Sequence, residues 1–166
     1  GGPGESGCGI VVETRPMQTL RPQSRDSLLV AGAIPRFLET AMADCRLTGW
    51  LAQTAEAFGR FGSVCSGTFL LAAAVLLGGR TVTTHWDGCG ALAEVCPDAR
   101  VLGDDLYVQD GNLWTSADVT TGIDMALAIL EQDHGRRLCA IPRNCWSSMP
   151  TVPATSRNTA TLSTVR

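Results

Sequence analysis

Residues 62–67 read Gly-Ser-Val-Cys-Ser-Gly and lead directly into an apolar run at 68–77. Small residues stand two positions before and two positions after Cys65, and this spacing lets a chain turn sharply from a strand into a helix. The glycine pair at 78–79 is typical of the position just beyond a helix end, so we expect the helix to stop there. The stretch predicts a strand, a sharp turn and a buried helix, with Cys65 at the turn.

A cysteine in such a turn lies at a helix N-terminus, where the helix dipole and unpaired N–H groups favour the thiolate form. The N–H of Ser66 would then face an oxyanion, and the loop of Gly32 and Ala33, which follows another predicted strand, could supply a second donor. We therefore predict Cys65 as a nucleophile, with Ser66, Gly32 and Ala33 as oxyanion or ligand contacts. The alternative is that Cys65 is one more small, buried residue of an apolar segment.

His85 ends the next predicted strand after this helix. Because the C-terminal ends of parallel strands meet at one edge of a sheet, we expect His85 near Cys65, where an imidazole can orient or deprotonate a thiol. Trp86 and Asp87 are predicted to contact the same ligand, and Asp87 could orient the imidazole. The alternatives are that His85 caps a strand or packs on Trp86, and that Asp87 begins the next turn.

The rest of the chain alternates β-branched segments with amphipathic ones. The mostly apolar segment at 27–31 is expected to be a strand buried on both faces. Asp110 and Gly111 predict a hairpin turn, and Asp118 is expected to cap the last helix. The alternation indicates an α/β fold with a mostly parallel sheet. The predicted strands are 10–13, 27–31, 63–65, 80–86, 101–102, 106–108 and 113–116, and the predicted helices are 48–61, 68–77, 91–95 and 119–133.

The composition suits one globular domain, because 45% of the 166 residues are hydrophobic and 17% are charged. The 13 basic residues are all arginine, which excludes a Schiff-base lysine and a phosphate-loop lysine. With two histidines and no Cys-x-x-Cys pair, the chain is expected to hold no metal and no cofactor. The arginines are scattered and the net charge is −3, which predicts no direct binding of nucleic acid.

Residues 1–9 show neither a basic start nor an apolar core, so no secretory signal is visible in the sequence. The longest apolar run, 68–77, has ten residues, well short of the ~18 to 20 that cross a bilayer. Seven cysteines are an odd number and favour free thiols over a disulfide framework. These observations predict a cytoplasmic protein without a membrane span.

Several spaced stretches together resemble the ThiJ/PfpI branch of the class I glutamine amidotransferase-like superfamily. Within it, they are most similar to the amino-terminal sensor domain of GlxA-type regulators of the AraC family. The resemblance implies a flavodoxin-like three-layer α/β sandwich, usually a homodimer, with Cys65 and His85 at the positions of the nucleophile and its neighbouring histidine. The stretches are 62–67, 70–74, 83–87, 112–117 and 122–128.

Two functions follow from this resemblance. The first is a domain that senses a small-molecule ligand for a transcription regulator. The second is an enzyme resembling isonitrile hydratases or glyoxalases, in which Cys65 attacks a carbon electrophile and His85 moves a proton. Relatives with peptidase activity carry histidine directly after the cysteine, where this chain has Ser66, so a peptidase is disfavoured. A third possibility is a poorly folded fragment without function.

The resemblance also predicts how the chain is divided. Residues 1–137 correspond to a partial ThiJ/PfpI domain, whose first strand and helix, with the acidic partner of the cysteine, would precede Gly1. Residues 138–166 predict an irregular tail, where the family would continue into a linker and a helix-turn-helix domain. If translation were read from the third base of the Arg143 codon, permitted codons for residues 143–160 could encode a linker that resembles that of the family. We therefore hypothesise a frameshift near 139–143.

Overall fold

The computed structural model describes residues 2–5 and 9–135, and the predicted tail with its frameshift lies outside these residues. The described chain opens with a hairpin, in which β1 (Gly2–Glu5) pairs antiparallel with β2 (Val11–Thr14). The later strands are β3 (Ser27–Val30), β4 (Arg60–Val64), β5 (Thr81–Val82), β6 (Arg100–Val101), β7 (Tyr107–Asp110) and β8 (Leu113–Ser116).

The central sheet has the strand order β3-β4-β8-β7. Strands β3, β4 and β8 run parallel, and β7 joins β8 in the antiparallel direction through a short turn. Strands β5 and β6 form a separate parallel pair. These pairings confirm the predicted α/β fold with a mostly parallel sheet.

Helices pack on both faces of this sheet. Leu113 of β8 shares a buried cluster with Phe61 of β4 and Leu71, whereas the next residue, Trp114, packs with Met125 on the opposite face. Since successive residues of a strand point to opposite faces, the fold has three layers. The helices are α1 (Pro35–Ala43), α2 (Cys45–Thr54), α3 (Thr68–Ala73), α4 (Cys89–Val95) and α5 (Val119–His134). None of the helices in the described ranges is long and apolar enough to cross a membrane.

The prediction that 27–31 is buried on both faces is wrong. Residues along β3 alternate between exposed and half-buried, and Leu29 is 41% exposed. Within the described chain, β3 is an edge strand with only β4 beside it, and only one of its two faces is half-buried. Leu28 and Val30 on that face pack against the helical layer.

Several predicted elements have different bounds in the structure, and the differences are large for two of them. The helix expected at 48–61 begins at Cys45, where the side chain of Asp44 accepts the N–H of Arg46, and it ends at Thr54. It ends early because residues 60 and 61 belong to β4, in which Phe61 is fully buried. The strand expected at 80–86 contains only Thr81 and Val82, and residues 83–85 after it have no regular secondary structure.

Helix α3 ends earlier than the glycine pair at 78–79 predicts. The N–H of Leu76 donates to the carbonyl of Leu71 at 3.1 Å, and the N–H of Val75 donates to that of Ala72 at 2.9 Å. These two bonds form a Schellman motif, whose central residue adopts a left-handed conformation. Here that residue is Val75, with φ 58°, so a valine stands where glycine is usual.

The predicted hairpin and the last helix are confirmed. Asp110 pairs with Leu113 across a two-residue turn in which Gly111 has φ 61°, a conformation that favours glycine. Helix α5 begins with a capping box, in which the side chains of Asp118 and Thr121 each accept a backbone N–H of the other residue. This box satisfies donors that the first helical turn leaves unpaired.

Candidate functional site

Cys65 lies at the C-terminal end of β4, and its backbone is left-handed with φ 59°. Val64 before it is extended, and a 3₁₀ turn at Cys65–Gly67 leads directly into α3. A left-handed conformation costs a non-glycine residue about 1 to 2 kcal/mol, and it persists only where the surroundings hold it. The chain therefore reverses sharply from strand to helix at this cysteine.

Two glycines allow the turn to touch the end of β3. A Cβ atom at Gly67 would lie 2.4 Å from the carbonyl oxygen of Val30. A Cβ atom at Gly32 would lie 3.0 Å from the amide nitrogen of Ser66 and 3.2 Å from the Cβ of Cys65. Larger residues would force the turn and the loop after β3 apart.

Ser66 joins the same turn to that loop through its side chain. Its hydroxyl oxygen accepts the N–H of Ala33 at 3.2 Å and donates to the carbonyl of Ala33 at 3.1 Å. While this bond is made, the N–H of Ala33 is not available to an oxyanion. The oxyanion contacts predicted for Gly32 and for the N–H of Ser66 stay predictions.

A layer of buried hydroxyl groups lies beneath Cys65. The hydroxyl of Thr84 donates to the carbonyl oxygen of Cys65 at 3.1 Å. The hydroxyl of Thr68 lies 3.3 Å from that oxygen, 2.9 Å from the carbonyl oxygen of Thr83 and 2.7 Å from the hydroxyl of Ser63. Ser63, Thr68, Thr83 and Thr84 are all fully buried. The polar layer therefore connects the Cys65 turn to the segment that carries His85.

His85 is the last residue of that segment and the N-cap of a 3₁₀ turn at Trp86–Gly88. Its Nδ1 atom accepts the N–H of Asp87 at 3.3 Å, so Nδ1 carries no proton in this arrangement and a neutral imidazole bears its proton on Nε2. The ring centroids of His85 and Trp86 are 5.2 Å apart. The capping of this turn and the contact with Trp86 are both present, and neither keeps His85 away from the cavity described next.

Cys65 and His85 line one cavity of about 550 Å³. Ser66, Ala33 and Asp87 line it as well, so this cavity unites most of the residues that the sequence singles out. Trp86 does not line it, and its side chain is 70% exposed, because the 3₁₀ turn directs it outward. The remaining lining residues are Pro35, Leu38, Glu39, Met42, Phe69 and Gly88.

One wall of the cavity comes from α1, a helix that is not among those predicted from the sequence. Pro35 occupies the first turn of this helix, where proline is common because its missing N–H needs no partner. Leu38 and Met42, one helical turn apart, both face the cavity. That spacing after a proline is the signal that could have revealed α1.

The cavity carries more acidic than basic character. Glu39 and Asp87 contribute carboxyl groups, and no arginine of the described residues lines it. The neighbouring Cys89 is less suited to act as a thiolate, because burial raises the pKa of its thiol. Within the described ranges, no group of three His, Cys, Asp or Glu side chains is arranged to hold a metal ion.

A sequence profile of the DJ-1/PfpI family matches residues 4–132, which is most of the chain. The chain belongs to the DJ-1/PfpI family. This DJ-1/PfpI domain is similar to a crystal structure of a ThiJ/PfpI family protein from Pseudomonas syringae, with a TM-score of 0.77 and 27% identity. That similarity covers 91% of this chain and 61% of the other.

Two curated relatives of the DJ-1/PfpI domain are proteins of different kinds, one a transcriptional regulator and the other an enzyme. The HTH-type transcriptional regulator CdhR of Pseudomonas aeruginosa is 35% identical over 121 residues, which are 72% of this chain and 34% of that protein. The isonitrile hydratase of Pseudomonas putida is 41% identical over 71 residues, which are 42% of this chain and 29% of that protein. The chain therefore spans about a third or less of the length of these relatives.

Proposed function

We propose that this chain is a small-molecule-binding domain of the kind that serves a transcription regulator. The supporting observation is the cavity of about 550 Å³ that is lined by Cys65 and His85 together with apolar residues of α1. A concave, mostly apolar site with a few converging polar groups is typical of ligand binding. The similarity to the regulator CdhR supports the regulatory role.

Binding to this cavity is tested with a thermal-shift screen of small metabolites against the purified chain. Leu38→Trp fills the cavity from α1 and is expected to abolish the shift given by any hit. Leu130→Trp places the same side chain on α5, at a residue that is 40% exposed and outside the cavity lining, and is expected to leave the shift intact. A hit that survives Leu38→Trp would place the ligand elsewhere and contradict the proposal.

A second function is a cysteine-dependent hydratase or hydrolase. It is favoured by the left-handed turn that brings Cys65 to the cavity and by the similarity to isonitrile hydratase. For an isonitrile, the sulfur would add to the terminal carbon, and that carbon would take up a proton, with His85 as the carrier. Water would then add to the resulting thioimidate, and cleavage of the carbon–sulfur bond would return the thiol and release a formamide.

Turnover separates the two functions. A sensor binds its ligand without consuming it, and Cys65→Ala is expected to leave binding within a few-fold of the wild type. An enzyme consumes a carbonyl, amide or isonitrile compound at a rate that Cys65→Ala abolishes, although binding persists. Product analysis by mass spectrometry, with Cys45→Ala as the control for an exposed cysteine outside the cavity, distinguishes the outcomes.

We further propose that the domain acts in the cytoplasm as a homodimer and does not itself contact DNA. The scattered arginines and net charge of −3 support the last point. Sedimentation equilibrium tests the dimer, since a monomer across the micromolar range would refute it. An electrophoretic mobility assay with mixed-sequence duplex DNA is expected to show no shift.

A further inference from the structure

We propose that Thr84 is the positioning residue that holds Cys65 in its left-handed conformation and so keeps the thiol at the cavity. The inference rests on the proposed function for the role of Cys65 itself. It gives Thr84 control over the position of the Cys65 thiol, although Thr84 itself does not contact the cavity. Thr84 is fully buried and does not line the cavity.

The count of hydroxyl protons assigns this role to Thr84 rather than to Thr68. Each hydroxyl donates one proton, and the hydroxyl of Thr68 has three neighbours within hydrogen-bonding distance. Its shorter carbonyl contact is with Thr83, at 2.9 Å, whereas Cys65 is 3.3 Å away. When Thr68 donates to Thr83 and accepts from Ser63, the hydroxyl of Thr84, at 3.1 Å, rather than that of Thr68, is the side-chain donor to the carbonyl of Cys65.

The backbone that leads to this donor is anchored at Thr83. The N–H of Thr83 donates to the hydroxyl of Thr115 on β8 at 2.9 Å. The carbonyl of Thr83 accepts a hydrogen bond from the hydroxyl of Thr68. The donor of Thr84 is thereby fixed to the central sheet. Because His85 is the next residue, one anchored segment places both the carbonyl restraint on Cys65 and the imidazole at the cavity.

Loss of the restraint has a defined consequence. A change of φ that takes Cys65 out of the left-handed region moves its carbonyl oxygen together with its side chain, so that oxygen must first leave the hydroxyl of Thr84. The strain at Cys65 favours such a change. The thiol would then no longer face the cavity, while the rest of the sheet and its core would be unchanged.

The test compares Thr84→Ser with Thr84→Ala in the full chain. The two variants lack the same methyl group and differ only in the hydroxyl. Iodoacetamide is the probe, and peptide mass spectrometry gives the alkylation rate of Cys65 relative to the exposed Cys45 of the same molecule. Thr84→Val, which keeps the volume, guards against a folding failure of the alanine variant. Thr54→Ala removes a hydroxyl that donates to the carbonyl of Trp50 in α2 and serves as the stability control.

We expect the Cys65 to Cys45 ratio to stay near the wild-type value in Thr84→Ser and to fall roughly tenfold in Thr84→Ala and Thr84→Val, as loss of one buried hydrogen bond implies. The lower alkylation ratio should persist across the pH range, because the substitution changes the position of the Cys65 thiol and removes no charge. A ratio in Thr84→Ala within about twofold of the serine variant, or above it, overturns the proposal, as does a deficit that vanishes at high pH. Failure of the proposed function would look different: Thr84 would control Cys65 while no metabolite bound.

Discussion

The hydroxyl of Ser66 bridges the two backbone groups of Ala33, at 3.2 Å from its amide nitrogen and 3.1 Å from its carbonyl oxygen. Ala33 stands between the end of β3 and the first turn of α1. One serine side chain therefore ties the turn that carries Cys65 to the helix that walls the cavity. The relative position of these two elements determines the shape of the site.

Ser66→Ala is expected to loosen this connection. The variant loses two hydrogen bonds at a half-buried position, which we expect to lower the free energy of unfolding by about 1 kcal/mol. The amides of α1 should exchange with solvent faster, since the helix is then less firmly attached. Denaturant unfolding and hydrogen exchange measure both effects. Thr40→Ala is the control, because that hydroxyl bonds within α1 on an exposed face, and unchanged α1 exchange in Ser66→Ala would refute the role.

Gly67→Ala is expected to disturb the turn through steric overlap alone. Gly67 has φ −57° and ψ −21°, which alanine adopts freely, but the added Cβ would lie 2.4 Å from the carbonyl oxygen of Val30. We expect a loss of about 1 to 3 kcal/mol in stability. An added Cβ at Gly90 in α4 would meet no atom of the described residues within 4 Å, so Gly90→Ala should stabilise the chain slightly, because alanine favours helices. Equal melting temperatures for the two variants would contradict the close contact.

Thr68→Val removes the donor at the centre of the buried hydroxyl layer. The carbonyl of Thr83 and the hydroxyl of Ser63 each lose a partner, and an unsatisfied buried polar group costs about 1 to 3 kcal/mol. A double-mutant cycle with Ser63→Ala measures the contact of 2.7 Å between the two hydroxyls. We expect the double variant to be less destabilised than the sum of the single variants. Strict additivity would show that the two side chains act independently.

The ion pair of Arg60 and Asp133 predicts a pH dependence of stability. Arg60 donates to both carboxylate oxygens, at 2.7 and 2.5 Å, and these hydrogen bonds hold the pKa of Asp133 below its ordinary value of 3.8. Ionised Asp133 therefore stabilises the fold above that value, and the contribution is lost as the pH falls through the folded-state pKa. The side chain of Asp133 is 36% exposed, so solvent limits the effect to about 1 kcal/mol.

Asp133→Asn should thus unfold more easily than the wild type at neutral pH, with a difference that shrinks below about pH 4. Urea unfolding at several pH values gives this comparison. Glu56→Gln is the matched control, because Glu56 contacts Arg80 at 3.4 Å and is 64% exposed, and it should have a smaller effect. A difference between Asp133→Asn and the wild type that stays constant down to low pH would exclude the ion pair as its source.

The sequence predicts the parts of this molecule that local chemistry determines. The turn at 62–67, the glycine hairpin and the capped helix α5 each depend on residues close together in the chain. By contrast, the exposure of Leu29 on β3 depends on which elements cover each face of that strand. The end of α3 depends on the backbone hydrogen bonds of Val75 and Leu76 rather than on the glycine pair at 78–79. The succession of strand, helix and strand leads to the expectation that His85 and Cys65 lie close together, and they line one cavity although β4 and β5 belong to different sheets. The outward direction of Trp86 depends on the 3₁₀ turn at Trp86–Gly88.

Helix α1 and the Ala33 contact show a further limit. The sequence contains a proline at the start of α1 and apolar residues at helical spacing after it. Because this helix is short and closely follows β3, its apolar spacing resembles that of a loop. Engagement of the Ala33 N–H depends on Ser66, which lies 33 positions away in sequence. Such a contact follows from packing and not from any local pattern.

Replacement of the valine at the end of α3 is expected to stabilise the protein. Val75 is 87% exposed and left-handed, so its side chain contributes little packing while its branched Cβ strains the backbone. Val75→Gly, or Val75→Asn, which restricts the unfolded chain more than glycine does, should raise stability by about 1 kcal/mol. Calorimetry would register this as a higher melting temperature. A heat-resistant parent of this kind would tolerate damaging substitutions at the cavity, so that chemistry there could be dissected without the molecule collapsing.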